Sequence, residues 1–201
     1  MKLKKITTAV ALLGLGAFVA APAAFAADAQ YYVGASVGQA KAKGFCTFST
    51  AIGATSCDDK DTGFKFFGGY QFDKNWAVEA TYMDMGDAIG TAVGGSATLK
   101  TTGWGLAGVG TMPVSDAFSV FGKLGFLRSE AKLNVTGNPE FKGAGSTANI
   151  GFGASYNFTK TVALRAEWER ASKVTISDIG PPVVNYNVNT DFLSAGIVVK
   201  F

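Results

Sequence analysis

Residues 192–201 read FLSAGIVVKF. Counting back from Phe201, every second residue is apolar: Val199, Ile197, Ala195 and Leu193. Between them stand Lys200, Gly196 and Ser194, which are polar or small. Successive side chains of a strand point to opposite faces, so this stretch describes a strand with one apolar face. At the end of a chain, such a strand is what a bacterial outer-membrane barrel requires. Its last strand must pair with its first, or an unpaired edge is left in lipid. The expected fold is therefore all-β, an eight-stranded antiparallel up-and-down transmembrane barrel.

The other end of the chain agrees. Lys2, Lys4 and Lys5 precede an apolar run over residues 9–21, Pro22 interrupts it, and Ala24-Phe25-Ala26 gives a small-x-small cleavage pattern. Residues 1–26 read as a secretory signal peptide and residues 27–201 as the barrel domain. A membrane anchor would need a longer run and a basic stop. Removing the leader takes three lysines with it and leaves basic and acidic residues balanced. The overall charge of +3 then gives no support to nucleic-acid binding. Although 48% of the residues are hydrophobic, no later run is long enough for a spanning helix. The apolar residues are spread in alternation, as in strands that face lipid on one side only.

The alternation recurs along the chain. Tyr31, Val33, Ala35 and Val37 share one face of a first strand. Phe64, Phe66, Tyr70 and Phe72 do so in a second, and Trp76, Val78, Ala80 and Tyr82 in a third. Further strands carry Trp104 and Leu106, then Phe118 to Phe126, Ile150 to Phe158, Val162 to Trp168, and the closing stretch. The connections at 73–75, 113–116 and 159–161 read as tight turns. Those at 43–61, 86–97, 129–146 and 170–189 read as long polar loops. The fourth of these, with Val174, Ile176, Pro181, Pro182, Val184, Tyr186 and Val188, is expected to extend the barrel as a hairpin. Three short turns and four long loops place both termini on the periplasmic side. Aromatic residues then fall in two girdles. Tyr31, Tyr70, Phe72, Trp76, Phe118, Tyr156, Phe158 and Phe201 lie near the short turns; Tyr82, Trp104, Phe126 and Trp168 lie near the other end.

The interior of an eight-stranded barrel is just wide enough for side chains to fill. Glu79 is the third residue after Trp76 on the third strand, and Arg165 the third after Val162 on the seventh. These strands face each other across the ring, and both start at short turns. Glu79 and Arg165 are therefore expected to pair across the lumen, joined by Lys123, Glu167 and Lys65. Such a network reads as a plug, or as a gate that passes small ions.

Other features point away from catalysis. The sequence contains no His, which removes imidazole acid–base chemistry. Gly103 to Gly108 matches G-x-G-x-x-G literally, but it lies within an alternating strand where a dinucleotide fingerprint needs a strand–helix turn. Cys46 and Cys57 are the only cysteines, and in an exported chain they read as a disulfide. No metal or other cofactor is implied. Asp58, Asp59 and Asp61 read as a solvated loop.

The segment Phe67-Gly68-Gly69-Tyr70-Gln71, continued through Trp76 to Tyr82 and Met85-Gly86-Asp87, resembles the second and third strands of the outer membrane protein A barrel family. Tyr31-Tyr32-Val33-Gly34-Ala35, Gly153 to Trp168, and Phe192 to Phe201 are similar to its first, sixth, seventh and closing strands. The resemblance implies a salt-bridged lumen in which Glu79 and Arg165 match the gate pair and Lys123 a lumen arginine. Two exchange positions depart, with Val109 and Ser155 in place of charged residues, which favours a fixed plug over a switch. It also implies that Phe201 and Val199 belong to the signal read by the barrel-assembly machinery. The soluble peptidoglycan-binding domain of the larger members is not expected.

The expected function is an integral protein of a Gram-negative outer membrane with a structural or surface-interaction role, not an enzyme. It would be a monomer whose partners are outer-membrane lipid and lipopolysaccharide. The alternative is a narrow porin-like channel for small ions or solutes. A soluble lipocalin-type barrel would need the faces reversed.

Overall fold

The structure is a computed structural model that describes residues 30–51, 54–137, 140–179 and 184–201. The residues expected to form a leader and its cleavage site lie outside the described residues, as do Pro181 and Pro182. The elements, in chain order, are β1 (Gln30–Lys43), α1 (Phe45–Ala51), β2 (Ser56–Asp58), β3 (Lys60–Gln71), β4 (Trp76–Ala92), β5 (Gly95–Pro113), β6 (Phe118–Val135), β7 (Phe141–Asn157), β8 (Val162–Ile179) and β9 (Val184–Lys200). Among the described residues no helix is long and apolar enough to cross a membrane.

Eight strands form a closed antiparallel barrel in the order β4-β3-β1-β9-β8-β7-β6-β5, shut by pairing of β5 with β4. The closing strand pairs with the first as its alternation requires, from Tyr32 opposite Lys200 to Lys43 opposite Asn189. The seam ends on two reciprocal backbone hydrogen bonds between Tyr31 and Phe201. The remaining strand, β2, is an addition to β4 above the point where β3 leaves it.

Each short turn is fastened by a side-chain oxygen. Asp73 Oδ1 accepts from the Asn75 and Trp76 amides at 2.7 and 2.9 Å. Ser115 Oγ accepts from the Phe118 amide at 3.1 Å, and Thr159 Oγ1 from the Val162 amide at 2.9 Å. Local bonds of this type are why Asp, Ser and Thr favour turns.

The segments read as long loops are for the most part strand. β4 to β9 run for 17 to 19 residues each, while about 9–11 residues of tilted strand cross the hydrocarbon core. β4 passes into β5 through Val93-Gly94 alone, with Ala92 opposite Gly95. Gly94 adopts φ +94° there, the left-handed conformation that two-residue hairpins demand. β8 and β9 continue as a paired hairpin through Val174–Val188 to Ile179–Val184. The extra strand length forms a crown above the membrane-spanning half.

On β6 the outward residues Phe118, Leu124 and Phe126 are exposed, and the same face continues as Arg128, Glu130 and Lys132. Inward, β6 carries Phe121 and Lys123, then Leu127, Ala131 and Leu133. The alternation keeps its phase while polarity changes sides. Below the change the wall is apolar outside; above it, the wall is charged outside and apolar inside.

The aromatic belts stand on the outward face. Phe201, Tyr31, Tyr70 and Phe72 form a continuous run of rings, with successive centroids 6.5, 4.8 and 5.0 Å apart. Tyr82, Trp104 and Phe126 are exposed at the other border.

Candidate functional site

The inward side chains stack in layers along the barrel axis, and β6 orders them from the short-turn end: Phe121, then Lys123, then Leu127, then Ala131 and Leu133. The first layer joins Tyr32, Phe67, Ala77, Val109, Phe121, Ala163 and Val198. Inward glycines make room for its rings. An added Cβ at Gly69 would stand 2.3 Å from the Tyr32 ring, and one at Gly153 would stand 2.5 Å from the Phe121 ring.

The second layer is ionic. It brings together all five lumen residues singled out in the sequence, Lys65 (β3), Glu79 (β4), Lys123 (β6), and Arg165 and Glu167 (β8), all buried. Arg165 Nη1 donates to Glu79 Oε2 at 2.6 Å across the ring, and Lys123 Nζ donates to Glu79 Oε1 at 3.0 Å. Lys65 Nζ donates to Glu167 Oε2 at 2.5 Å. Arg165 Nε lies 3.1 Å from Glu167 Oε2, and Lys123 Nζ lies 3.1 Å from Glu167 Oε1.

Sequence reasoning missed four participants: Glu169, Tyr32, Phe67 and Phe121. Glu169 accepts from Lys65 at 2.6 Å and forms an ion pair with Lys123. Its inclusion balances three carboxylates against three cations. That balance was the available signal, since the five residues chosen from sequence leave one buried cation over. The Tyr32 hydroxyl donates to Glu79 Oε2 at 3.0 Å. The Arg165 guanidinium is clamped between rings, 4.7 Å from the Phe67 centroid and 4.1 Å from that of Phe121. A planar, delocalised cation packs on aromatic faces where an ammonium would be less well placed.

Above the ions, Met83, Met85, Leu127, Phe192, Ala40 and Ala171 form a second apolar layer. The inner face of the closing strand is thus less polar than its lysine and serine indicate: Val198 joins the aromatic layer and Phe192 this one. Higher still, Phe45, Ala88, Leu99, Ala131 and Leu133 form the crown's core. Phe45 belongs to α1, which the Cys46–Cys57 disulfide fastens to β2, with Cα atoms 5.6 Å apart. Below the aromatic layer, a vestibule of about 330 Å³ lies at the short-turn end, lined among others by Arg165, Lys200 and Asn157.

Asp59 lies 3.9 Å from the Lys41 ammonium, and Asp61 Oδ2 accepts from the Asp87 amide at 2.8 Å. Asp58 Oδ1 accepts from the Lys60 amide at 3.1 Å. The first-loop carboxylates therefore serve the local fold. Gly103 to Gly108 lies wholly within β5, and no phosphate-binding strand–helix turn forms there. Val199 is outward-facing beside Val33.

The model of the outer membrane protein beta-barrel domain matches residues 10–201. No curated protein matches the chain. Among solved structures, neisserial surface protein A superposes with a TM-score of 0.54 at 18% identity, covering 85% of this chain and 97% of that one. The attachment invasion locus protein Ail of Yersinia pestis, solved in complex with the heparin analogue sucrose octasulfate, gives 0.53 at 16% identity, covering 87% and 98%. OprG of Pseudomonas aeruginosa gives 0.51 at 14% identity, covering 88% and 97%. At these identities the likeness is one of fold.

Proposed function

The chain belongs to the outer membrane protein beta-barrel domain family, and from that premise we propose that it is a plugged outer-membrane barrel, exported by its leader, whose role is structural and surface-interacting rather than catalytic. The observation that carries this reading is the layering of the lumen. An ionic layer whose six members are all buried lies between two layers of buried apolar side chains. An ion crossing it would shed its hydration shell twice and displace a partner from a balanced network.

The crown carries the surface role. Its outer wall bears Arg128, Glu130, Lys132 and Lys142 above the aromatic border, at the height of the anionic headgroups of lipopolysaccharide. The reading of Phe201 and Val199 as the assembly signal draws support from the Tyr31–Phe201 seam, where the last residue closes the barrel. In the membrane-spanning half every strand is paired on both sides, which leaves no edge there for a second copy and is in keeping with a monomer.

Planar-bilayer recording of the purified full chain tests the plug. The expected result is no stepwise conductance for wild type and irregular opening for Glu79→Ala, which unbalances the ionic layer. Regular, ion-selective steps from wild type would replace the plug with the channel. Heat-modifiable migration of the protein from an outer-membrane fraction tests the location.

A further inference from the structure

We propose that the vestibule at the short-turn end is a binding site for a small oxyanion, a carboxylate or phosphate group of a periplasmic solute, held by Lys200 beneath a ceiling formed in part by Arg165. The vestibule measures about 330 Å³. A buried cavity of roughly 150 Å³ accommodates benzene, so this space suits a solute of small-metabolite size.

Its charge is one-sided. Arg165, Lys200 and Lys74 line it against the single carboxylate of Asp116, and Asp116 and Lys74 belong to the turns at the rim. Lys200 is the unusual member. Its ammonium is half-buried and donates to Asn157 Oδ1 at 2.9 Å. No ion pair of the described residues includes it. By contrast, each of the three cations of the ionic layer has at least two carboxylate partners. A partly desolvated ammonium with one neutral acceptor is a cation lacking its counter-charge.

Arg165 supplies the second observation. Its Nη1 is committed to Glu79, while the buried Nη2 has no hydrogen-bond acceptor. The Phe67 and Phe121 rings fix the guanidinium plane, so this donor cannot rotate freely to find one. Ser119 and Thr111 add neutral donors to the walls, while the Ser155 hydroxyl donates to the Leu164 carbonyl. An anion seated here gains Lys200 as a direct partner, with the Arg165 guanidinium, already paired with Glu79 and Glu167, in the ceiling behind it.

The test uses the isotope-labelled full chain folded in detergent micelles and titrated with acetate, inorganic phosphate or glycerol at constant ionic strength. Saturable shifts of the Asn157, Ser119 and Lys200 amides with acetate or phosphate, and none with glycerol, are expected. Lys200→Gln keeps hydrogen-bonding capacity but loses the charge, and should weaken binding about tenfold or more. Lys200→Arg should retain binding, and Lys74→Gln at the rim should change it less. Heat-modifiable migration verifies that each variant is folded. Shifts that never saturate, equal response to glycerol, or unchanged affinity in Lys200→Gln would overturn the site.

Discussion

The lower and upper halves of this barrel are made of the same strands and obey opposite rules. In the membrane-spanning half Leu124 and Phe126 point outward while Lys123 is buried inside. A few residues further along β6, Lys132 points outward while Leu133 is buried inside. The strand geometry is continuous across the boundary, so the solvent decides the difference: lipid rewards an apolar wall, and water outside the crown rewards a charged wall around a hydrophobic core. The lower half gains its internal order from ion pairs, the upper from apolar packing and a disulfide.

Substitutions that exchange the two rules should have effects that depend on height. The largest is expected for Glu79→Ala, which leaves Arg165 and Lys123 without a principal partner in a buried layer. A loss of about 3–5 kcal/mol follows, measured by reversible urea unfolding in lipid vesicles. A near-neutral result would mean that water reaches the ionic layer. Next is a pair of substitutions on the outward face of β6. Leu124→Lys places a charge against lipid and should cost about 2–4 kcal/mol. Glu130→Gln, on the same face but in the crown, should stay within about 0.5 kcal/mol. Equal effects would erase the boundary drawn between them.

The disulfide belongs to the crown alone. Replacing Cys46 and Cys57 by Ser opens a loop spanning 11 positions and should cost the crown roughly 2–3 kcal/mol. Faster amide exchange is expected around Phe45 and Leu99, with the membrane half unchanged. Loss of heat-modifiable migration in this variant would show that the halves fold as one unit.

The smallest effect concerns Asp191, just above the outer aromatic border. Arg170 donates to it twice, at 2.7 and 2.9 Å, and Lys43 lies 2.7 Å away. Hydrogen bonding from Arg170 holds the Asp191 carboxyl below its ordinary value. A depressed carboxylate stabilises the fold above its unfolded pKa and loses that contribution as pH falls through the folded one. Because Arg170 stacks 5.0 Å over the Trp168 ring, the indole resonance should report this acid step. Asp191→Asn should abolish the step and remove the same contribution at neutral pH, about 1 kcal/mol or less for a pair this close to the surface.

The membrane half was legible because its alternation and its polarity coincide. Trp76 to Tyr82 and Val162 to Trp168 show at once which face meets lipid, and counting from the short turns puts Glu79 and Arg165 at one depth. The crown was not, because its outward residues are polar: Lys100, Glu130, Lys132 and Lys142 make the segment look like loop. The alternation of Ala97 with Leu99, and of Ala131, Leu133 and Val135, was present but faced inward. Tyr32 and Glu169 escaped for different reasons. Tyr32 stood in a strand judged by its small inward neighbours, and Glu169 two inward positions beyond Arg165, past the layer that Glu79 and Arg165 define. The ring clamp on Arg165 depends on Phe67 and Phe121 from two other strands, a meeting that only the closed register of the barrel creates.

The change of polarity also fixes how deep the protein rides. Arg128 follows Phe126, Arg170 follows Trp168, Asp84 follows Tyr82, and Asp191 precedes Leu193, each two positions apart on an outward face. Together they draw a waterline around the hull. Sinking by one pair of residues would press charges into hydrocarbon on several strands at once, and rising by one would lift aromatic rings clear of it. Draught and tilt are thereby set by the chain itself, and whatever docks on the crown meets a platform held at constant height above the bilayer.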